Sequence, residues 1–421
     1  MHPAYHALTL TVTSSLVLAL SGGTAPLQGP ATPAAPTIAS LAAARMNREA
    51  EGFIMKARET GDAGHYDRAL ALLAQALATD PGNESAVINE AWARLGRHEF
   101  AEARRIARGH LARRADDTRA LGLLGDAAME LGSYDEAGVA YQRMIDIEPG
   151  PASYSRGSHL REVTGDLPGA LELMRLAARS GGPPDGEGAA WFMVQTGHLQ
   201  EAMGDIEASE SSYRDALRVH PGYHYALAAL AGTALKRGRP MEAERFARQV
   251  LATVPHAERY LLLADALHAQ GRHEEAEQAE GKFESMAQDN SRLPDNENHD
   301  LVLYYIDRRP DPPRALAIAE REAAVRRDVH TLDRFAMALH ANRRHEEAAR
   351  LMRRILSVGT RDPQIWRHAK VILGAGTQEG PDATQDTGRN ASSQAPACAT
   401  ETREVPDTRP VGGHLSGGPI R

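Results

Sequence analysis

The chain is short of aromatics, of cysteine and of lysine. Aromatic residues make up 5% of its 421 residues, while the hydrophobic fraction is 42%. The apolar content is therefore mostly Ala and Leu, which suits thin helical layers better than a thick aromatic core. The one cysteine, Cys398, lies in the C-terminal tail. That excludes a disulfide framework within the chain and any multi-cysteine metal site. Lysine occurs only as Lys56, Lys236, Lys282 and Lys370, none followed by Ser or Thr after a glycine-rich loop, so no phosphate-cradling P-loop is present. No Gly-x-Ser-x-Gly elbow occurs either, and a lone thiol in a tail is no positioned nucleophile. Catalysis is therefore not expected. The net charge is −8, and Arg and Glu are interspersed without a basic stripe, so no nucleic acid is expected as partner.

The first 44 residues contain no Asp, Glu, Lys or Arg. Within them an apolar run from Ala7 to Leu20 is followed by Gly22, Gly23, Thr24 and Ala25. Residues 1–25 read as a secretory signal with cleavage after Ala25, and 26–46 as a flexible Pro/Ala-rich spacer. The n-region carries only the α-amine, His2 and His6. A cytosolic location is the alternative if the leader is not a signal. The run is shorter than the ~20 residues a membrane helix needs, so no stable span is expected. Residues 375–421 are rich in Gly, Pro, Ser and Thr without an aromatic, and are expected to stay unfolded.

Between the ends, residues 47–374 repeat one pattern. A helical stretch is followed by Gly-x-(aromatic or His)-x-x-Ala and then a second helical stretch. Clear copies start at Gly64, Gly96, Gly132, Gly165, Gly238 and Gly271, with Ala69, Ala101, Ala137, Ala170, Ala243 and Ala276 five positions on. Gly204 has Ser209 at the small position, and two degenerate copies put Pro310 and Arg343 where the glycine belongs. The steps between these nine anchors are 32, 36, 33, 39, 34, 33, 39 and 33 residues. In four copies a proline, Pro81, Pro149, Pro221 or Pro255, lies 17 residues after the glycine. The glycine ends one helix in a left-handed turn. The alanine lets two helices approach, and the proline stops the second helix. The two long steps come from inserted loops at 180–188 and 289–299.

This spacing resembles the tetratricopeptide-repeat family, whose period is ~34 residues. The second half, with Ala226, Leu230, Ala264 and Gly359 in their motifs, resembles exported bacterial repeat proteins of no assigned activity. The resemblance implies an all-α, right-handed superhelical solenoid of about nine helix-turn-helix repeats closed by a C-terminal capping helix. It implies no cofactor and leaves function to the surface, because one scaffold serves many roles. The function it implies is a non-catalytic scaffold, holding a protein or an extended peptide, of unknown oligomeric state.

In this family the first helix of each repeat lines a concave groove. Those positions are Ser155, His159, Glu162, Trp191, Val194, His198, Glu201, Tyr225, Glu258, Asp265, His268 and Tyr304. The Lys/Asn set that clamps a terminal carboxylate in some relatives is absent there. Aromatics beside acids and imidazoles suit a peptide of some basic character. The 18 histidines invite a metal reading, but His98, His273 and His345 fall in the slot held by Tyr66 and Tyr134 and are expected to pack. One sharper set remains: His159, Glu162, His198 and Glu201 occupy equivalent positions in adjacent repeats, where four ligands could converge on a divalent cation. A metal-binding or enzyme-accessory role using these groove histidines is the alternative function, or that of a cytosolic assembly adaptor if the leader is not a signal.

Overall fold

The computed structural model describes residues 37–60, 62–181, 186–290 and 299–374. The expected signal and tail lie outside them. The described residues form nineteen helices and no strand. Nine antiparallel pairs follow in order: α1 (Ile38–Thr60) with α2 (Gly64–Thr79), α3 (Glu84–Gly96) with α4 (Phe100–Leu111), and α5 (Thr118–Glu130) with α6 (Tyr134–Ile147). Next come α7 (Pro151–Val163) with α8 (Leu167–Ser180), α9 (Gly186–Ala202) with α10 (Ile206–Val219), and α11 (His224–Lys236) with α12 (Pro240–Thr253). Last are α13 (Ala257–His268) with α14 (His273–Asn290), α15 (His299–Asp307) with α16 (Pro312–Val325), and α17 (Val329–Ala341) with α18 (His345–Leu356). A single helix, α19 (Pro363–Leu373), ends the series. Its Ile365 and Ala369 are fully buried against the preceding pair, while Val371 is exposed, so it covers the end of the apolar core.

Local chemistry explains the punctuation. Asp117, Asp166, Asp205 and Asp311 each cap a helix, accepting a hydrogen bond from a backbone N–H three residues on. Such caps stabilise a helix start by about 1 kcal/mol. The helices α2, α6, α10 and α12 stop just before the four closing prolines. Gly132, Gly165, Gly204, Gly238 and Gly271 all have positive φ, as their turn requires. The alanines five residues later are wholly buried, as is Ser209. Small residues opposite large rings give the close pairing: a Cβ on Gly125 would collide with Tyr141, and one on Gly197 with Tyr213.

Two expectations about register need correction. In the second repeat the left-handed residue is His98 (φ 59°), not Gly96, and the buried small residue is Ala103, with Ala101 exposed. Gly96 is small for another reason, since a Cβ there would overlap the Tyr66 ring. His98 is thus a turn residue, and Phe100, 3% exposed and stacked on it, fills the packing slot. At the N-terminal end, α1 begins at Ile38, inside the stretch expected as spacer. Ala43 is fully buried there, so 38–46 form part of a helix and are not a linker.

Distant repeats are also in contact. The Arg327 N–H donates to the Glu130 carbonyl (2.7 Å), and the Val329 N–H donates to the Tyr134 hydroxyl (2.9 Å). Arg326, 2% exposed, sits 5.1 Å over the Phe100 ring and 3.3 Å from Glu130. The turn at Gly165 meets the turn at Gly359: the Gly359 Cβ position lies 2.9 Å from the Thr164 carbonyl oxygen. One apolar core joins Ala128, Tyr141 and Val163 to Val329, Met337 and Ile365. The chain thus returns on itself, and α5–α8 meet the segments flanking α17 and α19.

Candidate functional site: a cavity on the inner helix face

Where the chain returns, the first helices of several repeats enclose a cavity of about 380 Å³. Its walls come from α7, α9, α11, α13 and α17, and from residues 360–367 at the start of α19. The volume suits a small ligand or a few residues of a chain.

Of the twelve groove positions, His159, Glu162, His198, Glu201 and Asp265 line this cavity. Others lie elsewhere. Val194 (1% exposed) and Tyr304 (4% exposed) are core residues, Tyr304 lying edge-on to Phe283. Ser155 is buried, its hydroxyl turned to the Ala152 carbonyl. Trp191 and Tyr225 are half-buried against the core beneath α9 and α11. Glu258 lies 3.6 Å from both His256 and Arg259. His268 faces its own pair's second helix, 3.3 Å from Glu280 and 3.1 Å from His273. The cause is common to these departures. A helix of a stacked pair buries residues on both flanks, so a helical face read at three- and four-residue spacing includes its edges.

The four residues of the metal reading do not form a ligand set. Glu201 accepts from Lys236 on one oxygen and from the Tyr213 hydroxyl (2.9 Å) on the other. Because Tyr213 gives its only proton to Glu201, His198 Nδ1, 3.1 Å from the same hydroxyl oxygen, must carry the proton and donate. His198 Nε2 is buried without a hydrogen-bond partner. Burial pushes the His198 pKa down to about 4. His159 sits 3.5 Å from Glu162. Burial disfavours its charge, but Glu162 outweighs that and raises its pKa. Among the described residues no group of three or more His, Cys, Asp or Glu side chains is placed to hold a metal ion. Both carboxylates are already engaged, Glu162 with His159 and Glu201 with Lys236 and Tyr213.

The cavity also contains cations that the groove positions did not include. Lys236 ends α11 beside Glu201; burial, and then Arg367, lower its pKa to about 8. Arg361 and Arg367 enter from the α19 end, and both are exposed to solvent. Asp265 accepts from Arg308 (2.5 Å), and Asp362 caps α19 through the N–H groups of Gln364 and Ile365. Arg361 and Arg367 were invisible to groove mapping because α19 reaches the cavity only through the long-range contact.

Comparison with known proteins agrees with the helical pairing. Models described as tetratricopeptide repeat match residues 62–127, 118–151, 194–256 and 229–282. These two stretches of the chain, 62–151 and 194–282, are tetratricopeptide repeats. The repeat protein is also similar to the cellulose synthase operon protein C of Pseudomonas fluorescens (strain SBW25), with 27% identity over 66% of this chain. That match spans only 20% of the relative's length. Among solved structures, the human IFIT1 dimer with PPP-AAAA aligns at TM-score 0.45 and 14% identity, covering 70% of this chain and 69% of that one. The APC/C hetero-tetramer Cut9-Hcn1 aligns at TM-score 0.44 and 15% identity, covering 65% and 52%. No helix among the described residues is long and apolar enough to cross a membrane.

Proposed function

We propose that this tetratricopeptide-repeat protein is a non-catalytic scaffold that holds a segment of a protein partner against the inner helix face. The observation that supports this is the cavity itself. Five groove positions from α7, α9 and α13 converge on it, with an apolar floor from Ala228, Ala229 and Leu262. A concave site with an apolar floor and a few polar groups is where ligands bind on most scaffolds. The name of the Pseudomonas relative adds support for an accessory place beside an enzyme complex. Export to the cell envelope, with 1–25 removed as a signal, belongs to the same reading; the mass of the mature N-terminus tests it.

The scaffold reading is tested by a photo-crosslinking amino acid placed at Gln195 in the cavity, and in a second protein at Arg175 on the outer side of α8. Partner adducts are expected from position 195 and not from 175. Equal crosslinking from both positions, or none from 195 in the native cell, would sink the reading.

A further inference from the structure

The polar groups lining the cavity are unequally occupied. Each lining carboxylate has a partner: Glu162 has His159, Glu201 has Lys236 and Tyr213, Asp265 has Arg308, and Asp362 has the first N–H groups of α19. The guanidinium groups of Arg361 and Arg367 have no hydrogen bond or ion pair among the described residues, yet both line the cavity. Lys236 stands near enough to Arg367 for the two positive charges to repel. The unspent capacity of this lining is therefore cationic and donating. A planar guanidinium matches an oxyanion in geometry as well as in charge.

We infer that the cavity takes an oxyanion, a carboxylate or phosphate, at Arg361 and Arg367, with the apolar floor holding the atoms that carry it. This rests on the scaffold reading and gives the partner segment a chemical character. It reverses the basic peptide expected from the groove residues alone, because those residues supply acids that are already engaged. An anion here relieves the repulsion between Lys236 and Arg367 and leaves the four carboxylate pairings intact. The assignment differs from a clamp built on first-helix groove positions. Its two arginines come from the segment before α19 and from α19 itself, brought in by the contact between the turns at Gly165 and Gly359.

The test is calorimetric titration of the full chain at fixed ionic strength with four probes. These are inorganic phosphate, an acetylated and amidated Leu-Glu-Asp tripeptide, its Leu-Gln-Asn counterpart, and a Leu-Lys-Arg tripeptide. Saturable one-to-one binding is expected for the acidic tripeptide or for phosphate, and which one binds names the source of the oxyanion. The neutral and basic tripeptides are expected to bind at least tenfold more weakly. An Arg361→Gln/Arg367→Gln double variant, both sites being exposed, is expected to keep its melting temperature and lose at least tenfold in affinity, while Arg175→Gln loses nothing. Equal binding of the neutral or basic tripeptide, unchanged affinity in the double variant, or no saturable binding of either anion overturns the assignment. The crosslinking comparison reads the scaffold separately. Adducts from position 195 without anion binding sink only the oxyanion, and absence of both sinks the scaffold as well.

Discussion

Two sets of turns in this molecule share one backbone conformation and meet different surroundings. Gly132 and Gly165 have φ of 67° and 88°, and Gly238 and Gly271 have 66° and 76°. A Cβ added at Gly238 or Gly271 would meet nothing within 4 Å. One added at Gly132 or Gly165 would fall on the carbonyl oxygen of Arg327 or Gly359. Gly238 and Gly271 serve the repeat alone. Gly132 and Gly165 serve the repeat and also let a distant turn touch its backbone. A repeat consensus explains glycine at all four positions, and only the long-range contact explains why two of them tolerate nothing else.

The comparison is broken or sharpened most directly by alanine. Gly271→Ala is expected to cost about 1–2 kcal/mol, the price of a left-handed alanine. Gly165→Ala carries the same strain and adds an overpacking cost of about 1–3 kcal/mol as two backbones are forced apart. Urea unfolding of the two variants measures the gap. Equal losses would mean that the Gly165–Gly359 contact is not maintained in solution.

Tyr134→Phe acts on the same contact more gently. The Tyr134 hydroxyl accepts the Val329 N–H, and burial, together with the Asp328 carboxylate, raises its pKa. Removing the oxygen leaves a buried N–H without a partner, at about 1–3 kcal/mol. The added signature is faster amide exchange at Val329, which a purely local loss of packing in α6 would not produce. Unchanged exchange at Val329 would place the hydroxyl elsewhere in solution.

Most of the repeat architecture was legible because its signals are local. A glycine, an alanine five residues on and a closing proline each report on one turn or one helix pair. The register failed at Gly96, because a glycine required by the Tyr66 ring stood two residues before the true turn at His98; Gly64 also opens α2 without a left-handed φ, and His273 and His345, expected to pack, are exposed. The site was less legible. His159, Glu162, His198, Glu201 and Asp265 follow from helical spacing within their own repeats. Arg361, Arg367 and His330 reach the cavity only because residues far apart in sequence meet, and no period of a solenoid encodes that meeting. Val194 and Tyr304 were misplaced for the converse reason, since spacing alone does not separate the open face of a helix from its packed flank.

The smallest expected effect is a titration that reports whether the contacted edge keeps the cavity closed. In the native protein burial holds the His198 pKa near 4 against an ordinary value of about 6.5. Its folded pKa is depressed, so its contribution to stability is fully present above pH 6.5 and declines as pH falls towards 4, where the folded state also takes the proton. NMR titration of the imidazole reads this value directly in the native state. If the meeting of the turns at Gly165 and Gly359 shields the cavity from water, the Gly165→Ala variant, where it remains folded, should move the His198 pKa upward. Gly271→Ala should leave it near 4. An equal value in both variants would assign the shielding to Tyr213 and the neighbouring helices alone, and the long-range contact would then support the fold without controlling access to the cavity.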